Sequence, residues 1–273
     1  MARYGRKAAI IEKQTLDHLA PLPLPVSAVL ITLNGAASLE VCIRSLHFAA
    51  EILVVDSGSS DGTVALAQRL GARVIHQEWL GFGPQKQFAV SQATHDWVFC
   101  IDVDEAVSPE LVRSLRQVMA RGPECHAYRF ARCNRFLGRY LRHGEGYPDW
   151  NLRFFHRGHA RWSDHAVHET VLAEGPVGVL AGDLMHDSAE SIDSYLAKQN
   201  RYTSLAAAAA VAAGKRAGGW RLLLSPLLRF FKFYLVRQGF RDGLPGLVHT
   251  LIGCSNSFTK YAKMIELQRR SGR

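Results

Sequence analysis

One short stretch, Asp96–Glu105, constrains the fold of this chain more than any other. Its Trp97–Ile101 segment is five apolar residues in a row, aromatic and β-branched among them, which predicts a buried strand too short to be a helix. Three carboxylates follow within four residues, at Asp102, Asp104 and Glu105. Residues two apart in an extended strand point the same way, so we expect Asp102 and Asp104 on one side. Two such carboxylates repel unless a cation or a hydrogen-bond donor lies between them.

These acids also follow the carboxyl end of a strand, where open α/β sheets bind their ligands. Mg²⁺ is held in proteins by one or two carboxylates together with phosphate oxygens. The pair Asp102 and Asp104 therefore predicts a hard divalent cation that carries substrate phosphates. The alternative is an acidic helix start, because Ser108-Pro109-Glu110 follows and would cap the next helix. A cap needs one acid, however, and three are present.

The chain around this stretch alternates between strand-like and helix-like patterns. Strands are predicted at Val26–Leu33, Glu51–Asp56, Ala72–His76 and Trp97–Ile101, and helices capped by Ser38 and over Val64–Leu70, Pro84–Ala93 and Pro109–Ala120. This alternation predicts an α/β fold with a doubly wound, mostly parallel sheet. Polar residues end the first, second and fourth strands, which is the arrangement of a nucleotide site. Neither the dinucleotide GxGxxG pattern nor a P-loop is present.

The chain as a whole divides into three parts. Residues 1–25 are expected to be a lead-in, residues 26–190 the α/β domain and residues 191–273 a helical extension. Within residues 126–187, short alternating runs predict added, partly antiparallel strands. The loop Leu141–Trp150 is rich in Gly, His and aromatic residues. It is typical of a sugar or acceptor site, and equally of a plain surface loop.

Positive charge is concentrated in the helical extension. The chain has a net charge of +9, yet residues 198–273 alone carry +12 and the first 197 residues −3. This asymmetry predicts an anionic partner, either membrane phospholipid or nucleic acid. Within it, Trp220–Arg237 mixes bulky apolar side chains with spaced cations, which is typical of a helix lying in the membrane plane. The alternative is a helix packed on the rest of the protein with its charges solvated.

Targeting and redox signals are weak. No run of 18 apolar residues occurs, and the first 25 residues lack the apolar core of a signal peptide. The five cysteines are scattered and form no CxxC pair, which predicts reduced thiols of a cytosolic protein.

Three motifs together resemble the family 2 inverting glycosyltransferases of the GT-A fold: Thr32-Leu33-Asn34, Asp56–Thr63 and Asp102-Val103-Asp104-Glu105. They lie in the first half of the chain, in the order and at the spacing of that family. Later motifs resemble its bacterial lipopolysaccharide-core β-glucosyltransferase subgroup: Trp79–Lys86, Val167-His168-Glu169, the His186 region with Tyr195–Tyr202, and Gly239–Gly243.

The resemblance implies a set of site residues. A nucleotide sugar would be bound by Thr32, Leu33, Asn34, Asp56, Lys86, Asp102 and Val103. Asp104 would bind Mg²⁺ or Mn²⁺, and His186 would complete the metal site or touch the pyrophosphate. The family's Glu after the Asn of the first strand is replaced here by Gly35, so any polar contact made by that Glu is absent.

The chemistry of such a transfer requires a base as well as a cation. The leaving nucleoside diphosphate gains negative charge, which a metal ion neutralises as a Lewis acid. The attacking hydroxyl loses its proton to a carboxylate on the opposite face of the sugar. We expect Glu169 to be this base, with Asp149 and then Asp164 as alternatives. Each of the three can instead be a surface acid or a loop brace.

The expected activity is metal-dependent transfer of a hexose, glucose by the resemblance, from a nucleotide sugar to a lipid-linked saccharide such as lipopolysaccharide core. The enzyme would lie in the cytoplasm against the inner face of the cytoplasmic membrane, without nucleic acid as a partner. Two alternatives remain open. A sugar-phosphate nucleotidyltransferase is disfavoured because Asn34–Ala37 carries no cation for a triphosphate. A nucleic-acid binder is disfavoured because the basic extension has large aliphatic clusters.

Overall fold

Four parallel strands form one half of a single mixed sheet. In the computed structural model, which describes residues 22–164, 169–188 and 191–271, they are β1 (Leu24–Thr32), β2 (Ala49–Asp56), β3 (Arg73–His76) and β4 (Trp97–Asp102). Their order in space is β3-β2-β1-β4. The chain thus leaves β1 to one side for β2 and later returns to its other side for β4. A crevice forms at the carboxyl ends of strands where the winding reverses in this way.

The other half of the sheet contains the added strands expected from the middle of the chain. They are β5 (Glu105–Val107), β6 (Ala127–Phe136), β7 (Arg139–Tyr140), β8 (Asp149–His156) and β11 (Val177–His186). β8 pairs antiparallel with β4 and with β6, whereas β11 runs parallel to β6 and antiparallel to β5. A separate hairpin joins β9 (Ala160–Trp162) to β10 (Val171–Ala173). β5 was not predicted, because three residues are too few to show a period.

Four helices connect the strands, and three more form the C-terminal extension. The connecting helices are α1 (Ala36–Ser45), α2 (Thr63–Arg69), α3 (Phe82–Ser91) and α4 (Pro109–Arg121). The extension contains α5 (Ile192–Ala212), α6 (Gly219–Phe230), a π-helical segment (Phe231–Val236), a 3₁₀ turn (Gly239–Asp242) and α7 (Gly243–Ser271). The predicted α/β class with a mostly parallel doubly wound region and a C-terminal helical extension is confirmed.

The predicted cap of α1 was wrong. Ser38 lies inside the helix, and Gly35 occupies the N-cap position without a side-chain cap of its own. The first backbone donors are instead satisfied from the loop after β2: the Gly35 N–H donates to Thr63 Oγ1 at 2.9 Å and the Ala36 N–H to Asp61 Oδ2 at 3.1 Å. A cap supplied from a distant loop leaves no local sequence signal. β1 also starts earlier than predicted, at Leu24, whose N–H donates to the Phe48 carbonyl.

The core lies on both faces of the sheet. On one face, Phe99 stacks against Phe130 with ring centroids 5.4 Å apart, and α1 and α4 cover the layer. On the other face, Val98 and Cys100 pack with Trp162 and with residues of α3. Alternation of Val98, Phe99 and Cys100 between the two layers explains why β4 is a continuous apolar run. Within the described ranges, no helix combines the length and apolarity needed to cross a membrane.

Candidate active site

The carboxyl ends of β1 and β2 are joined by hydrogen bonds into one wall of the crevice. The buried Asp56 carboxylate accepts the Gly58 and Ser59 N–H groups through Oδ2, each at 2.9 Å, and the Ser59 hydroxyl through Oδ1. These three bonds shape the loop after β2 and leave one acceptor position of the carboxylate, which has about four. Asp56 is therefore a loop organiser that retains the capacity to accept one further donor.

Asn34 links β1 to the same loop. Its N–H donates to Ser59 Oγ at 2.8 Å, and its Oδ1 accepts the Ser60 N–H at 2.9 Å. Its φ is +54°, a left-handed conformation that Asn tolerates better than most residues. Leu33, before it, is 58% exposed, whereas Thr32 is buried and its Oγ1 has no hydrogen-bond partner. The structure thus brings all four predicted residues of this wall together.

Gly35 has a steric role at the end of β1. A Cβ at this position would lie 2.5 Å from Thr32 Oγ1 and 2.8 Å from Val103 Cγ2. Real Cβ atoms do not approach that closely, so Gly35 allows Val103 to pack against the end of β1. The replacement of the family's Glu is therefore accompanied by close packing of Gly35, Thr32 and Val103.

Asp102 lies between two buried cations. Its Oδ1 is 3.0 Å from Lys86 Nζ of α3, and its Oδ2 accepts a hydrogen bond from the Arg153 guanidinium of β8 at 2.8 Å. Both cations also lie over the ring of Trp162, at 4.8 and 5.2 Å from its centroid. Burial acts to raise the pKa of Asp102, but the charges of Arg153 and Lys86 lower it well below its usual range. Asp102 is therefore held ionised.

Asp104 faces a different partner, so the expectation that Asp102 and Asp104 share one side of a strand was wrong. β4 ends at Asp102, and the chain turns through Val103 and Asp104 before β5. Asp104 Oδ2 lies 3.3 Å from Nε2 of His186, at the end of β11. The other ring nitrogen of His186, Nδ1, is 2.7 Å from Asn134 Oδ1. The turn thus gives the two aspartates different partners: Lys86 and Arg153 for Asp102, and His186 for Asp104.

The pair Asp104 and His186 fits a divalent metal that is completed by a ligand. Within the described residues, no group of three or more His, Cys, Asp or Glu side chains could hold a metal ion. A cation bound here would therefore take one carboxylate and one imidazole from the protein and its remaining oxygens from water and phosphate. Both side chains are partly exposed, at 32% for Asp104 and 20% for His186, so a ligand can reach them.

The three candidate bases lie in different surroundings. Glu169 Oε1 is 3.2 Å from Lys86 Nζ, which joins Glu169 to the Asp102 cluster. Asp149, at the start of β8, is engaged by the Arg132 guanidinium at 2.8 and 2.9 Å. Asp164 is 84% exposed and lies 3.7 Å from Arg161. Val167 and His168 of the Glu169 motif lie outside the described residues.

Several residues of this cluster were not predicted. Arg153 contacts Asp102, and Arg132 contacts Asp149. Arg132 also lies 3.6 Å from the buried Glu105. Glu105 in turn accepts the Asp102 N–H at 2.9 Å. Arg153 did leave a signal: it is a lone charge inside the apolar run Leu152–Phe155, and a charge within a buried strand requires a partner. Arg132 left none, because its strand alternates in the ordinary way.

Comparison with known proteins agrees with these motifs. The family model "Glycosyl transferase family 2" matches residues 27–171, which is more than half of the chain. The lipopolysaccharide core biosynthesis glycosyltransferase LpsC of Rhizobium meliloti is 35% identical over 250 residues, covering 89% of this chain and 93% of that protein. An uncharacterised glycosyltransferase of Rickettsia felis is 31% identical over 88% of this chain and 89% of its own length.

Among solved structures, the glucosyl-3-phosphoglycerate synthase of Mycobacterium tuberculosis, determined with Mn²⁺ and UDP, is 27% identical with a TM-score of 0.34. That match covers 41% of this chain and 44% of the synthase, less than half of either. The family model, in contrast, matches more than half of this chain, and the match to LpsC covers 89% of it. This chain therefore belongs to glycosyltransferase family 2.

Proposed function

We propose that this glycosyltransferase moves a hexose, with inversion, from a nucleotide sugar to a lipid-linked saccharide of the lipopolysaccharide core type. The observation that carries the proposal is the pairing of Asp104 with His186 at 3.3 Å, next to the ionised Asp102. This pairing supports a cation site at the carboxyl edge of the sheet. The similarity to LpsC, whose name states lipopolysaccharide core biosynthesis, supports the acceptor class.

The donor would lie along the wall formed by the ends of β1 and β2. Asp56, with one acceptor position left, would take a donor of the nucleotide base, and Thr32, Leu33 and Asn34 would line base and ribose. Lys86 and Asp102 would contact the nucleotide from α3 and β4, beside Val103. A divalent metal held by Asp104 and His186, Mg²⁺ or Mn²⁺, would supply charge neutralisation of the leaving diphosphate.

Transfer requires one carboxylate to accept the proton of the attacking hydroxyl. We assign this role to Glu169, because it contacts Lys86 in the cluster around Asp102. The acceptor oxygen forms a bond to the anomeric carbon as the bond to the diphosphate breaks. The electron pair leaves with the diphosphate, and the hydroxyl proton passes to Glu169. Asp149 is the less favoured base because the Arg132 guanidinium engages it through two contacts, at 2.8 and 2.9 Å, whereas Glu169 has one contact with Lys86 at 3.2 Å.

The metal site is tested by Asp104→Asn. With purified protein, Mn²⁺ and a panel of nucleotide sugars, we expect the native chain to bind one donor and hydrolyse it slowly. Asp104→Asn should lower that rate by about 10²–10³-fold, the loss typical of removing one group that stabilises developing charge. Asp96→Asn, whose side chain is 65% exposed, is the matched control and should retain the native rate. Equal rates in all three proteins, or binding of no nucleotide sugar, would refute the proposal.

The extension supports contact with a membrane surface. No residue of α6 or of the following π-helical segment is buried, although both are rich in apolar residues. We define the apolar face of α6 as its exposed side chains at positions spaced three and four apart: Trp220 62%, Leu223 71%, Leu224 43%, Leu227 66% and Leu228 59%; Phe231, the first residue of the π-helical segment, continues it at 58%. Exposed Lys232 and Arg237 lie beside it. Apolar side chains flanked by cations match an anionic leaflet, so we place the enzyme at the cytoplasmic face of the membrane.

Flotation with liposomes tests this contact. The native chain should float with vesicles that contain anionic phospholipid, and less with neutral vesicles. The double variant Leu223→Ser/Leu227→Ser should reduce the floated fraction several-fold, because burial of each exposed leucine in the lipid contributes to the free energy of binding. Val41→Ser, an isolated exposed residue of α1 at 66%, is the control. Binding that is unchanged in the double variant would remove the membrane assignment and leave the transfer activity untouched.

The two alternative functions receive less support. Membership in the family favours glycosyl transfer over nucleotidyl transfer. The exposed leucines of α6 favour a lipid partner over nucleic acid, which is bound mainly through phosphate contacts to Lys and Arg.

A further inference from the structure

Asn134 lies beside the candidate metal pair, and the function proposed above does not use it. It belongs to β6, and the parallel register of β6 with β11 sets it next to His186. Asp104 reaches the same imidazole from β5, because the pairing of β5 with β11 sets Glu105 opposite His186. His186 is therefore held from both sides: Nδ1 is 2.7 Å from Asn134 Oδ1, and Nε2 is 3.3 Å from Asp104 Oδ2.

The amide of Asn134 could face His186 in two orientations, and Asp149 decides between them. The amide nitrogen, Nδ2, lies 3.4 Å from Asp149 Oδ2 and donates to it. The flipped amide would turn its carbonyl oxygen towards this carboxylate, and a carboxylate has only acceptors to offer. Two acceptors would then face each other. Oδ1 is therefore the atom of Asn134 that faces His186, and Oδ1 can only accept a hydrogen bond.

Asp149 is held in place by Arg132. The register of β6 with β8 sets these two residues opposite each other, and Arg132 and Asn134 are two apart on β6, hence on the same side of the strand. Arg132 contacts Asp149 Oδ2 through Nε at 2.9 Å and Nη2 at 2.8 Å. A guanidinium has donors and no acceptor. The direction of each hydrogen bond from Arg132 through Asp149 to Asn134 is thus fixed by chemistry.

We propose that Asn134 and Asp149 are positioning residues that fix the tautomer of His186. In this tautomer Nδ1 carries the proton and donates it to Asn134, and Nε2 keeps its lone pair towards Asp104. A metal binds an imidazole through an unprotonated nitrogen, and the hydrogen bond of the other nitrogen selects which one that is. The opposite tautomer would place a proton between Nε2 and Asp104, where the cation is expected.

This inference rests on the proposed function for the metal only, because the tautomer follows from the hydrogen bonds themselves. It gives Asp149 a role in which its carboxylate orients Asn134 and takes no proton from a substrate. It also explains why two polar residues of β6, Arg132 and Asn134, face the site although neither contacts Asp104.

NMR of the metal-free full chain reads the tautomer directly. Long-range ¹H–¹⁵N spectra at about pH 9, where histidine rings are neutral, distinguish a protonated Nδ1 from a protonated Nε2. His186→Ala identifies the His186 signals among those of the 12 histidines. We expect a protonated Nδ1 in the native chain and loss of this preference in Asn134→Ala. Asn151→Ala is the matched control, because Asn151 donates to the backbone carbonyl of Asp149 at 3.1 Å, and it should keep the native tautomer.

Metal affinity gives a second measurement, with Mn²⁺ alone as the probe and electron paramagnetic resonance of the unbound ion as the readout. Asn134→Ala should weaken Mn²⁺ binding by about 10–100-fold, the usual loss when a metal-binding histidine loses its hydrogen-bond partner. Asn151→Ala should bind Mn²⁺ as the native chain does.

Two variants test Asp149. Asp149→Ala removes the acceptor that orients Asn134 and should weaken Mn²⁺ binding in the same way. Asp149→Asn should restore both the affinity and the tautomer, because its amide oxygen can still accept from Arg132 and Asn134. A residue that acted only as a base would not be restored by an amide, and it would not change the tautomer of His186.

A protonated Nε2 in the native chain would overturn the inference, as would the same tautomer and affinity in the native chain and in Asn134→Ala. Equal losses in Asn134→Ala and Asn151→Ala would reduce the contact to one that only stabilises the sheet. If Asn134→Ala does not fold, a native tautomer in Asp149→Ala refutes the role of Asp149. A protonated Nδ1 in a native chain that binds no Mn²⁺ would contradict the metal site of the proposed function and leave the tautomer assignment intact.

Discussion

Asp102 lies at the end of β4 between Lys86 and Arg153, and the two cations have side chains only 8% and 7% exposed. Ions removed from water to this extent are stable only when they are paired and hydrogen-bonded. The arrangement holds three elements together, because Lys86 comes from α3, Asp102 from β4 and Arg153 from β8. One buried terminal nitrogen of Arg153 has no hydrogen-bond partner, so the cluster retains an unused donor beside the crevice.

We predict that Arg153→Met will destabilise the protein by roughly 3 kcal/mol, because removing one partner of a buried ion pair leaves the other charge uncompensated. Lys86 still faces Asp102, which keeps the loss at the lower end of the usual range. Urea unfolding followed by circular dichroism measures the change. Arg44→Met removes an exposed i,i+4 pair with Glu40 and should cost only about 0.3–0.5 kcal/mol. Equal losses in the two variants would show that the Arg153 pair contributes no more than a surface ion pair.

At the scale of elements, Glu51 joins the three strands β1, β2 and β3. Its carboxylate accepts the Ser27 hydroxyl of β1, the Arg73 guanidinium of β3 at 2.7 and 2.9 Å, and the Thr94 N–H and hydroxyl at 2.7 and 2.8 Å. Burial acts to raise the pKa of Glu51, but the bonds from Ser27, Thr94 and Arg73 together lower it to about 2. The ionised form is thus the form that the folded strands stabilise.

This lowered pKa predicts an acid-sensitive sheet. The folded pKa of about 2 lies below the ordinary value of 4.5, so the stabilisation is present above about pH 4.5 and is lost as the pH falls towards 2. Glu51→Gln should lower stability at pH 7 by roughly 1–2 kcal/mol, allowing for solvent screening. It should also flatten the decline in stability between about pH 4.5 and 2.

Urea unfolding at a series of pH values tests the role of Glu51. Glu40→Gln, an exposed glutamate of α1, is the matched control and should keep the native dependence on pH. If Glu51→Gln and the native chain lose stability in parallel as the pH falls, Glu51 does not carry the acid sensitivity.

At the scale of the whole molecule, Asp242 connects the helical extension to the sheet domain. It is 1% exposed, and its Oδ2 accepts the N–H groups of Arg142 and His143 at 2.9 and 2.8 Å. His143 Nδ1 also lies 3.1 Å from Asp242 Oδ1. Arg229 of α6 pairs with Glu145 of the same loop. The loop that sequence reasoning left undecided between acceptor site and surface loop therefore anchors the extension.

We predict that Asp242→Ala will loosen this docking. Two buried N–H groups would lose their acceptor, and each unsatisfied group would destabilise the folded chain by about 1–3 kcal/mol. The extension should then be cleaved faster than the sheet domain in limited proteolysis. Glu266→Ala, which removes only an exposed i,i+4 pair with Arg270, is the control and should leave the cleavage rate unchanged. Uniform cleavage of both domains in Asp242→Ala would indicate global unfolding and contradict a docking role.

The predictability of the site differed from residue to residue. Asp56, Asp102 and Asp104 were predicted because each follows an apolar strand, and the change from apolar to acidic residues is visible in the sequence itself. The partners Lys86, Glu169 and His186 came from motifs, and the structure places each of them against one of those acids or their contacts. Arg132 and Asn134 were missed, since nothing in an alternating strand marks which polar residues face a site.

The amino-acid sequence alone determined the order of strands and helices, the acidic ends of β2 and β4 and the basic C-terminal extension, because hydrophobic periodicity and charge are local properties. Only the tertiary structure decided that Asp102 pairs with Lys86 and Arg153, whereas Asp104 pairs with His186. Those partners lie on strands and helices up to 82 residues away, as His186 is from Asp104. Which carboxylate pairs with Lys86 and Arg153 and which with His186 depends on strand order and on where β4 ends, and neither is encoded within a short window.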